Sequence, residues 1–579
     1  MNIFILITVS IVLLKYVFLS YFRIPADVVS MGVIAAFIIS GVLVYPQGIN
    51  SFSTETVVLT GVLCVVVAGL VYSGVVKWIA DHLLGQPSGK STALLRLMIP
   101  AAALSAFINN NTVAQLFINV VKLWCRKLNI APSKLLYPMS YATGLGGMCT
   151  LIGTGANLII AESWHQSSGN SLGFFFPLLP GLCSTAVGIG IMCLLQRFLP
   201  VRKSPEESFE SSNDYTLELL VPTESHLVGM TVEEAGLNKV FGGQLIEIVR
   251  FDREVTCPVP DDEFILGGDR LVFTGRIQEL LELRTTHGLV NADHHVYSVK
   301  EMQGNRKLWM AHVKHHSTMQ GRSLMDMDFE KKHNLVLVAV ARQGERMEGI
   351  PREIELQAGD TLLLEGQKLN TADFVNDLNF TDDIALPQEG KKTGIAGLIM
   401  LGMILLSTLN IMPMLHSCVL AACLMAITKC CSIQQIQRSI DWGLILEFAG
   451  ALCLGQAIIA CGLSEVLTHY LLIISNAHPL TVFLLFCFGS MLATEFVQDV
   501  TVAAVTAPIG LIVAQHLGVS PYPFMVGLML CLACTSTETN TLVSGPAGYT
   551  FGDNYRISLP FNAIMFVANM IITLTLYPL

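Results

Sequence analysis

Ten apolar runs, each about as long as a membrane crossing, restrict this chain more than any other feature. They lie near 2–21, 28–45, 54–76, 135–160 and 173–199, and again near 393–410, 412–430, 442–463, 521–546 and 559–578. About 20 apolar residues cross the hydrocarbon core as helix. Inside that core every backbone N–H and C=O must find a partner within the protein, and for runs of this length the helix provides it. Two further apolar pieces, near 93–124 and 480–515, have polar centres. The first contains "FINNNTVAQ" (107–115), with three consecutive asparagines. An unsatisfied amide in hydrocarbon costs several kcal/mol, so these side chains require either a cavity or a polar neighbour.

Charge is concentrated elsewhere. Residues 201–390 hold 33 of the 44 acidic and 19 of the 34 basic side chains. The whole chain is nevertheless 52% hydrophobic and 13% charged, with mean hydropathy +0.59. That excludes a soluble enzyme and describes a polytopic membrane protein with a soluble insert. The expected organisation is a first transmembrane repeat at 1–200, a linker at 201–214, soluble modules at 215–290 and 291–385, and a second transmembrane repeat at 391–579. The N-terminal run lacks the charged n-region and cleavage site of a signal peptide and reads as a first span. Arg23, Lys77, Lys90, Arg126, Lys127, Lys134, Lys391, Lys392, Arg438 and Arg556 all fall on one side. By the positive-inside rule that side is cytoplasmic, together with the insert, and both termini face outside the plasma membrane. The 15 cysteines, including the Cys531/Cys534 pair, read as small residues of the membrane core without a metal site.

The two apolar halves resemble each other. "FINNNTVAQ" aligns without gaps on "FVQDVTVAA" (496–504), which pairs Asn110 with Asp499. "SG" at 73–74 falls on "CG" at 461–462, and "YP…CT" at 137–150 on "YP…CT" at 522–535. Each half then has five spans and one interrupted piece, an odd number that inverts the second copy. Inverted repeats whose broken helices meet at the midplane are a secondary-transporter architecture. The asparagines would sit at the tip of a re-entrant hairpin; the bland alternative is interhelical glue. The insert is also repeated: Gly229 pairs with Gly321, Arg250 with Arg342, and Gly268–Asp269 with Gly359–Asp360. Each copy reads as short strands around a helix, with Gly–Asp turning into the last strand.

"GGMCTLIGTGAN" (146–157) and "CTSTETNTLVSGPAG" (534–548) interrupt their spans at matched places. Broken helices offer amides to anions and carbonyls to Na+, whereas the bland reading is close packing through small residues. Intramembrane acids are costly and usually functional, and Glu447, Glu495, Asp499 and Glu538 all belong to the second half. With no lysine or arginine near them in sequence, a proton or a metal cation is expected to neutralise them. "LLGQPSGKST" (83–92) lacks the first glycine of a phosphate loop and follows a membrane helix, so it is rejected. The histidine pairs at 294–295 and 315–316 read as surface residues, and no nucleic-acid patch or nucleophile–base arrangement stands out.

The tail "TETNTLVSGPAGYTFGDNYRISLP" (537–560), "GGMCTLIGTGAN" and "TEF" (494–496) together resemble the divalent anion:sodium symporter family. The resemblance is to its sulfate-permease-like members, with two central TrkA-C modules, and covers nearly the whole chain. It implies an elevator-type homodimer of the ion transporter superfamily, carrying sulfate or di- and tricarboxylates with Na+. It places the substrate on Asn109, Asn110, Asn111, Thr112, Thr154, Asn157, Gln498, Thr501, Thr539 and Asn540. It places sodium on Asn110, Thr150, Gly153, Asp499, Thr535 and Glu538. Asp499 and Glu538 depart from the family's uncharged pattern and leave open an H+-coupled or cation-exchanging carrier. A small regulatory ligand such as a nucleotide is expected at the TrkA-C modules, and no nucleic acid. A membrane sensor without transport is the third reading.

Overall fold

The computed structural model describes residues 3–20, 26–202, 216–380 and 392–579. Within these stretches it leaves out 76, 77, 79, 86, 88, 129, 238–242, 251–254, 257, 276–287, 292–306, 314–316, 328, 334, 343, 344, 348, 349, 358, 367–373, 375, 376, 410, 536 and 550. The histidine pairs at 294–295 and 315–316 thus lie outside the described residues.

The chain is a polytopic helical membrane protein with a central β region. Among the described residues five helices are long and apolar enough to cross a membrane: Gly48–Tyr72, Leu178–Phe198, Ile433–Ala460, Asp499–Leu517 and Gly552–Leu576. Shorter apolar helices surround them, and the outermost leave large side chains bare. Leu398, Leu401, Leu405 and Leu409 line one exposed stripe of Thr393–Thr408 and its end. Such a stripe is stable against lipid tails and costly in water.

Both polar-centred pieces break at their polar residues. Lys90–Ser105 stops before the asparagines and Asn110–Leu128 starts among them. Pro479–Thr494 and Asp499–Leu517 do the same around Gln498. The run read as one span at 135–160 is two helices, Ser133–Gly147 and Gly155–Ser168, separated by the glycine- and threonine-rich turn. Its counterpart divides into Tyr522–Cys534 and Thr537–Ala547. Of the helices that escaped the sequence reading the longest has twelve residues. Leu463–Ile474 follows "CG" and mixes Ser, Glu, Thr and His with its leucines, so it is not a uniform apolar run.

Packing between the halves is reciprocal. Ala26–Ile39 lies on Trp442–Ala460, and Met414–Ile427 lies on Glu55–Tyr72. Gly155–Ser168 lies on Asp499–Leu517, and Thr537–Ala547 lies on Asn110–Leu128. Leu178–Leu195 packs against its counterpart Phe551–Leu576. Each half therefore fills in the other.

The insert forms two five-stranded antiparallel sheets. The first comprises β1 (Thr216–Leu220), β2 (Gly243–Val249), β3 (Val255–Thr256), β4 (Arg270–Gly275) and β5 (Val290–Asn291), in the order β3-β2-β4-β1-β5. The second comprises β6 (Lys307–Val313), β7 (Leu335–Arg342), β8 (Glu345–Arg346), β9 (Thr361–Gly366) and β10 (Leu378–Phe380), in the matching order β8-β7-β9-β6-β10. The bulges also match, at Leu245/Glu247 and Leu337/Ala339. Gly268 and Gly359, at φ +93° and +83°, make the turns into β4 and β9, a left-handed conformation that glycine adopts without strain. The turns thus precede the fourth strand of each sheet and not the last, because the edge strands β5 and β10, two and three residues long, are too short to read as strands. Among the described residues the second module holds the α-helix Phe329–His333 and a short 3-10 turn, Pro351–Glu353.

The paired arginines clasp the paired aspartates. Arg342 grips Asp360 with both Nε and Nη2 at 2.8 Å, a bidentate bond that raises the guanidinium's affinity for its proton. Arg250 gives Nη2 to Glu263 at 2.6 Å and holds Nε 3.7 Å from Asp269. Burial pushes the Asp269 carboxyl up, against the pull of the Leu266 N–H and Arg250. The two sheets meet through Ile246, Val272 and Val336.

Candidate substrate and ion site

The first tip is neutral and well bonded. Asn109 Oδ1 accepts from the Asn111 N–H at 3.0 Å and so starts the helix Asn110–Leu128. Asn110 Oδ1 accepts from Ser105 Oγ at 2.7 Å, across the turn of the hairpin. A side chain on Gly147 would meet that Asn110 oxygen at 2.7 Å and Thr154 Cγ2 at 2.6 Å, so glycine is what lets the tip touch the first break. Thr112 follows, half-buried. Asn111 Oδ1 accepts from Thr539 Oγ1 at 3.0 Å, which reaches from the other half.

The first break is tied to the tip and to itself. Thr150 Oγ1 donates to Ala106 O in the hairpin turn and accepts from the Gly153 N–H at 3.2 Å. Thr154 starts Gly155–Ser168 by accepting from the Asn157 N–H at 3.3 Å. Asn157 Nδ2 donates to Thr150 O at 2.9 Å and Gly147 O at 3.4 Å. Its Oδ1 is buried and accepts no hydrogen bond among the described residues.

The second tip has a different chemistry. Gln498 precedes the helix without a side-chain cap bond, and Asp499 Oδ1 accepts from the Val500 N–H at 2.7 Å. Val500 and Phe448 crowd Gly155, where an added side chain would meet them at 2.7 and 2.6 Å. Glu447, next to Phe448, is buried on Trp442–Ala460. Glu495 accepts from Asn562 Nδ2 at 2.9 Å. The second break is tied to its hairpin as the first is: Thr535 Oγ1 lies 2.6 Å from Thr494 Oγ1 and donates to Leu532 O at 3.0 Å. Asn540 is buried and accepts from Ser140 Oγ at 2.5 Å. The side chain of Glu538 lies outside the described residues.

The acids of the second half have no lysine or arginine near them in sequence, but the fold brings one basic residue close to one of them, Lys15. It is buried at 6% exposure on Ile3–Ser20, donates from Nζ to Thr501 Oγ1 at 3.0 Å, and is within electrostatic reach of Glu447. Proximity in sequence was the wrong measure, because 486 residues separate Lys15 from Thr501. A lone lysine inside "IFILITVSIVLLKYVFLS" was the available signal. Ser105 and Phe448 gave none beyond ordinary composition.

Polar tips and broken helices that meet inside an apolar helical bundle define a secondary transporter of the membrane, not an enzyme. The comparison with known families makes the assignment. The chain belongs to the citrate transporter family CitMHS, whose pattern matches residues 15–528. It is 27% identical to an uncharacterized transporter of Synechocystis sp., over 99% of this chain and 97% of that protein. It is 27% identical to a putative sulfur deprivation response regulator of Chlamydomonas reinhardtii, over 95% of this chain and 97% of that one. Sodium/sulfate cotransporter 1 of the same alga is 28% identical over 53% of this chain and 37% of its own length.

Proposed function

We propose that the protein is a Na+-coupled symporter of a small anion, sulfate or a di- or tricarboxylate, working by an elevator mechanism. Its halves are inverted repeats with re-entrant hairpins, its insert a pair of cytoplasmic TrkA-C modules that regulate transport, and its assembly a homodimer. The observation that carries this reading is the reciprocity at the tips. The first tip meets Thr537–Ala547 through Asn111 and Thr539, and the second meets Gly155–Ser168 through Val500 and Gly155. A substrate held there touches both halves at once, beside helix N-termini that favour an anion. The buried Asn157 Oδ1, with Asn110 Oδ1 and the Gly147 and Gly153 carbonyls nearby, is an oxygen set suited to Na+. The names of the algal cotransporters support sulfate and Na+.

Regulation by the insert is supported by its contacts. A side chain on Gly545, in Thr537–Ala547, would meet Gly359 O at 2.9 Å. His312 on β6 lies close enough to Lys122, on the first-tip helix, to feel its charge. The second sheet therefore lies against Asn110–Leu128 of the first tip and against Thr537–Ala547, the helix that meets that tip.

The test is uptake of labelled sulfate, succinate and citrate by proteoliposomes under separate Na+ and H+ gradients. Uptake of one of these anions should rise with an inward Na+ gradient. A response to the H+ gradient alone would favour the second reading, a proton-coupled carrier, which the acids Asp499, Glu447 and Glu495 around the second tip support. No uptake under any gradient would overturn both.

A further inference from the structure

The second tip contains its own cation. Thr501 is one helical turn from the tip, on the helix that Asp499 opens, and it aligns with Thr112 of the first tip. Its hydroxyl is occupied by an ammonium that arrives from the N-terminal helix, at 3.0 Å. Lys15 is buried there, and burying an ammonium is costly unless acids compensate it. Glu447 is such an acid, buried on a helix against which Ile3–Ser20 packs. The adjacent Phe448 touches Gly155 where the second tip lands.

From this we infer that Lys15 is the resident counter-cation of the second tip and takes the place of a transported one. The inference rests on the tips being the transport site, as proposed above. A tethered ammonium offsets the carboxylates beside a bound anion, as a metal ion would. Unlike a metal ion it stays behind when the substrate leaves. The second half then adds no cation to the coupling stoichiometry, and the ions that drive transport bind at the neutral first tip. Arginine carries the same charge on a stem of similar length, whereas methionine keeps the apolar stem and loses the charge.

The experiment compares wild type, Lys15→Arg, Lys15→Met and Lys15→Met/Glu447→Gln in proteoliposomes, with the Na+ dependence of uptake as the readout. Lys15→Met should lower uptake about tenfold or more, as expected when a buried carboxylate loses its partner, and raise the apparent Na+ order by about one. Lys15→Arg should keep the wild-type Na+ order, and the double variant should regain most of the uptake and the wild-type order. Wild-type uptake and Na+ order in Lys15→Met would overturn the inference, as would a double variant no better than Lys15→Met. A second measurement needs no transport. Added NaCl should raise the melting temperature of detergent-solubilised Lys15→Met more than that of wild type, with choline chloride as the ionic-strength control. If no variant transports any anion, it is the transport reading that fails. Equal NaCl shifts in the two proteins would then sink the inference separately.

Discussion

The two hairpin tips share one sequence pattern and are chemically unlike. At the first, amides and hydroxyls satisfy one another: Ser105 bonds Asn110, Thr539 bonds Asn111, and Asn109 bonds its own helix. At the second, Asp499 and Glu447 bring negative charge and Lys15 brings positive charge. Neutral oxygens leave net room for a cation and an anion together. Fixed charges decide in advance what sign the site tolerates, because they interact strongly where water is scarce. The comparison suggests a division of labour, in which the first tip holds what comes and goes and the second holds a standing charge balance.

The harshest way to break the contrast is to charge the neutral tip. Asn110→Asp puts a carboxylate beside Ser105 and Gly147 with no base among the described contacts, at a cost of several kcal/mol. Uptake should fall by about a hundredfold or more while the protein still elutes as a folded species, since about 3 kcal/mol is already that factor. Near-normal uptake would mean that the first tip does not hold the anion.

Neutralising the charged tip should hurt less. Asp499→Asn keeps the shape and one acceptor oxygen, so the helix start survives. Substrate exchange should continue, but gradient-driven uptake should drop about tenfold, the effect of roughly 1.4 kcal/mol, with a changed ion or pH dependence. Wild-type coupling in this variant would leave Asp499 with a structural role alone.

A third change tests whether the second sheet acts through the first tip alone. Gly545→Val would push against Gly359 O and displace the sheet, an overpacking worth about 1–3 kcal/mol. We expect a few-fold change in apparent Na+ affinity, with faster hydrogen exchange in β6 and β9 and no shift in the effect of Lys15→Met. Unchanged exchange would show that the contact is incidental.

The smallest effect should come from pH. Burial, and then the nearby Lys122, holds the His312 imidazole well below its ordinary range, so it is neutral in the folded protein. A depressed histidine leaves stability intact above its unfolded value of about 6.5. Below that value the unfolded or undocked form binds the proton first, and stability declines as the pH falls towards the depressed folded value. Proteolysis in the insert should therefore rise modestly between pH 7 and pH 5 in wild type and less in His312→Gln. Equal slopes would remove His312 from the account.

How much of this was legible beforehand depended on whether a signal was local. The polar residues inside apolar runs marked the four breaks at the tips and the glycine- and threonine-rich turns, because a cavity or a cap makes them tolerable there. The Gly–Asp and arginine pairs of the insert were visible as a repeat, although the bidentate grip of Arg342 on Asp360 was not. Leu463–Ile474 was lost because its polar face reads as a loop when scanned for uniform apolarity. Lys15 was lost for the opposite reason: its helix is so apolar that one lysine vanished into the average. The bond that Asn540 accepts from Ser140 was not visible either, because no alignment of tips shows which neighbour a side chain on a short helix meets.

The bond between Asn111 and Thr539 joins residues 428 positions apart, and that separation has a meaning for how the protein is made. A ribosome adding 5–20 residues per second takes on the order of 20–90 s to travel between them. Throughout that time the first hairpin is already synthesised while the helix that will cover its asparagines does not exist. The nascent half must wait with polar groups open to the insertion machinery or to water, and the soluble insert has time to emerge before the second half arrives. An Asn111→Cys variant, in a background freed of other reactive cysteines, makes this visible. Chains arrested before residue 537 should react quickly with a water-borne thiol reagent, and completed chains slowly. Equal reactivity would mean that the early half finds a temporary cover of its own.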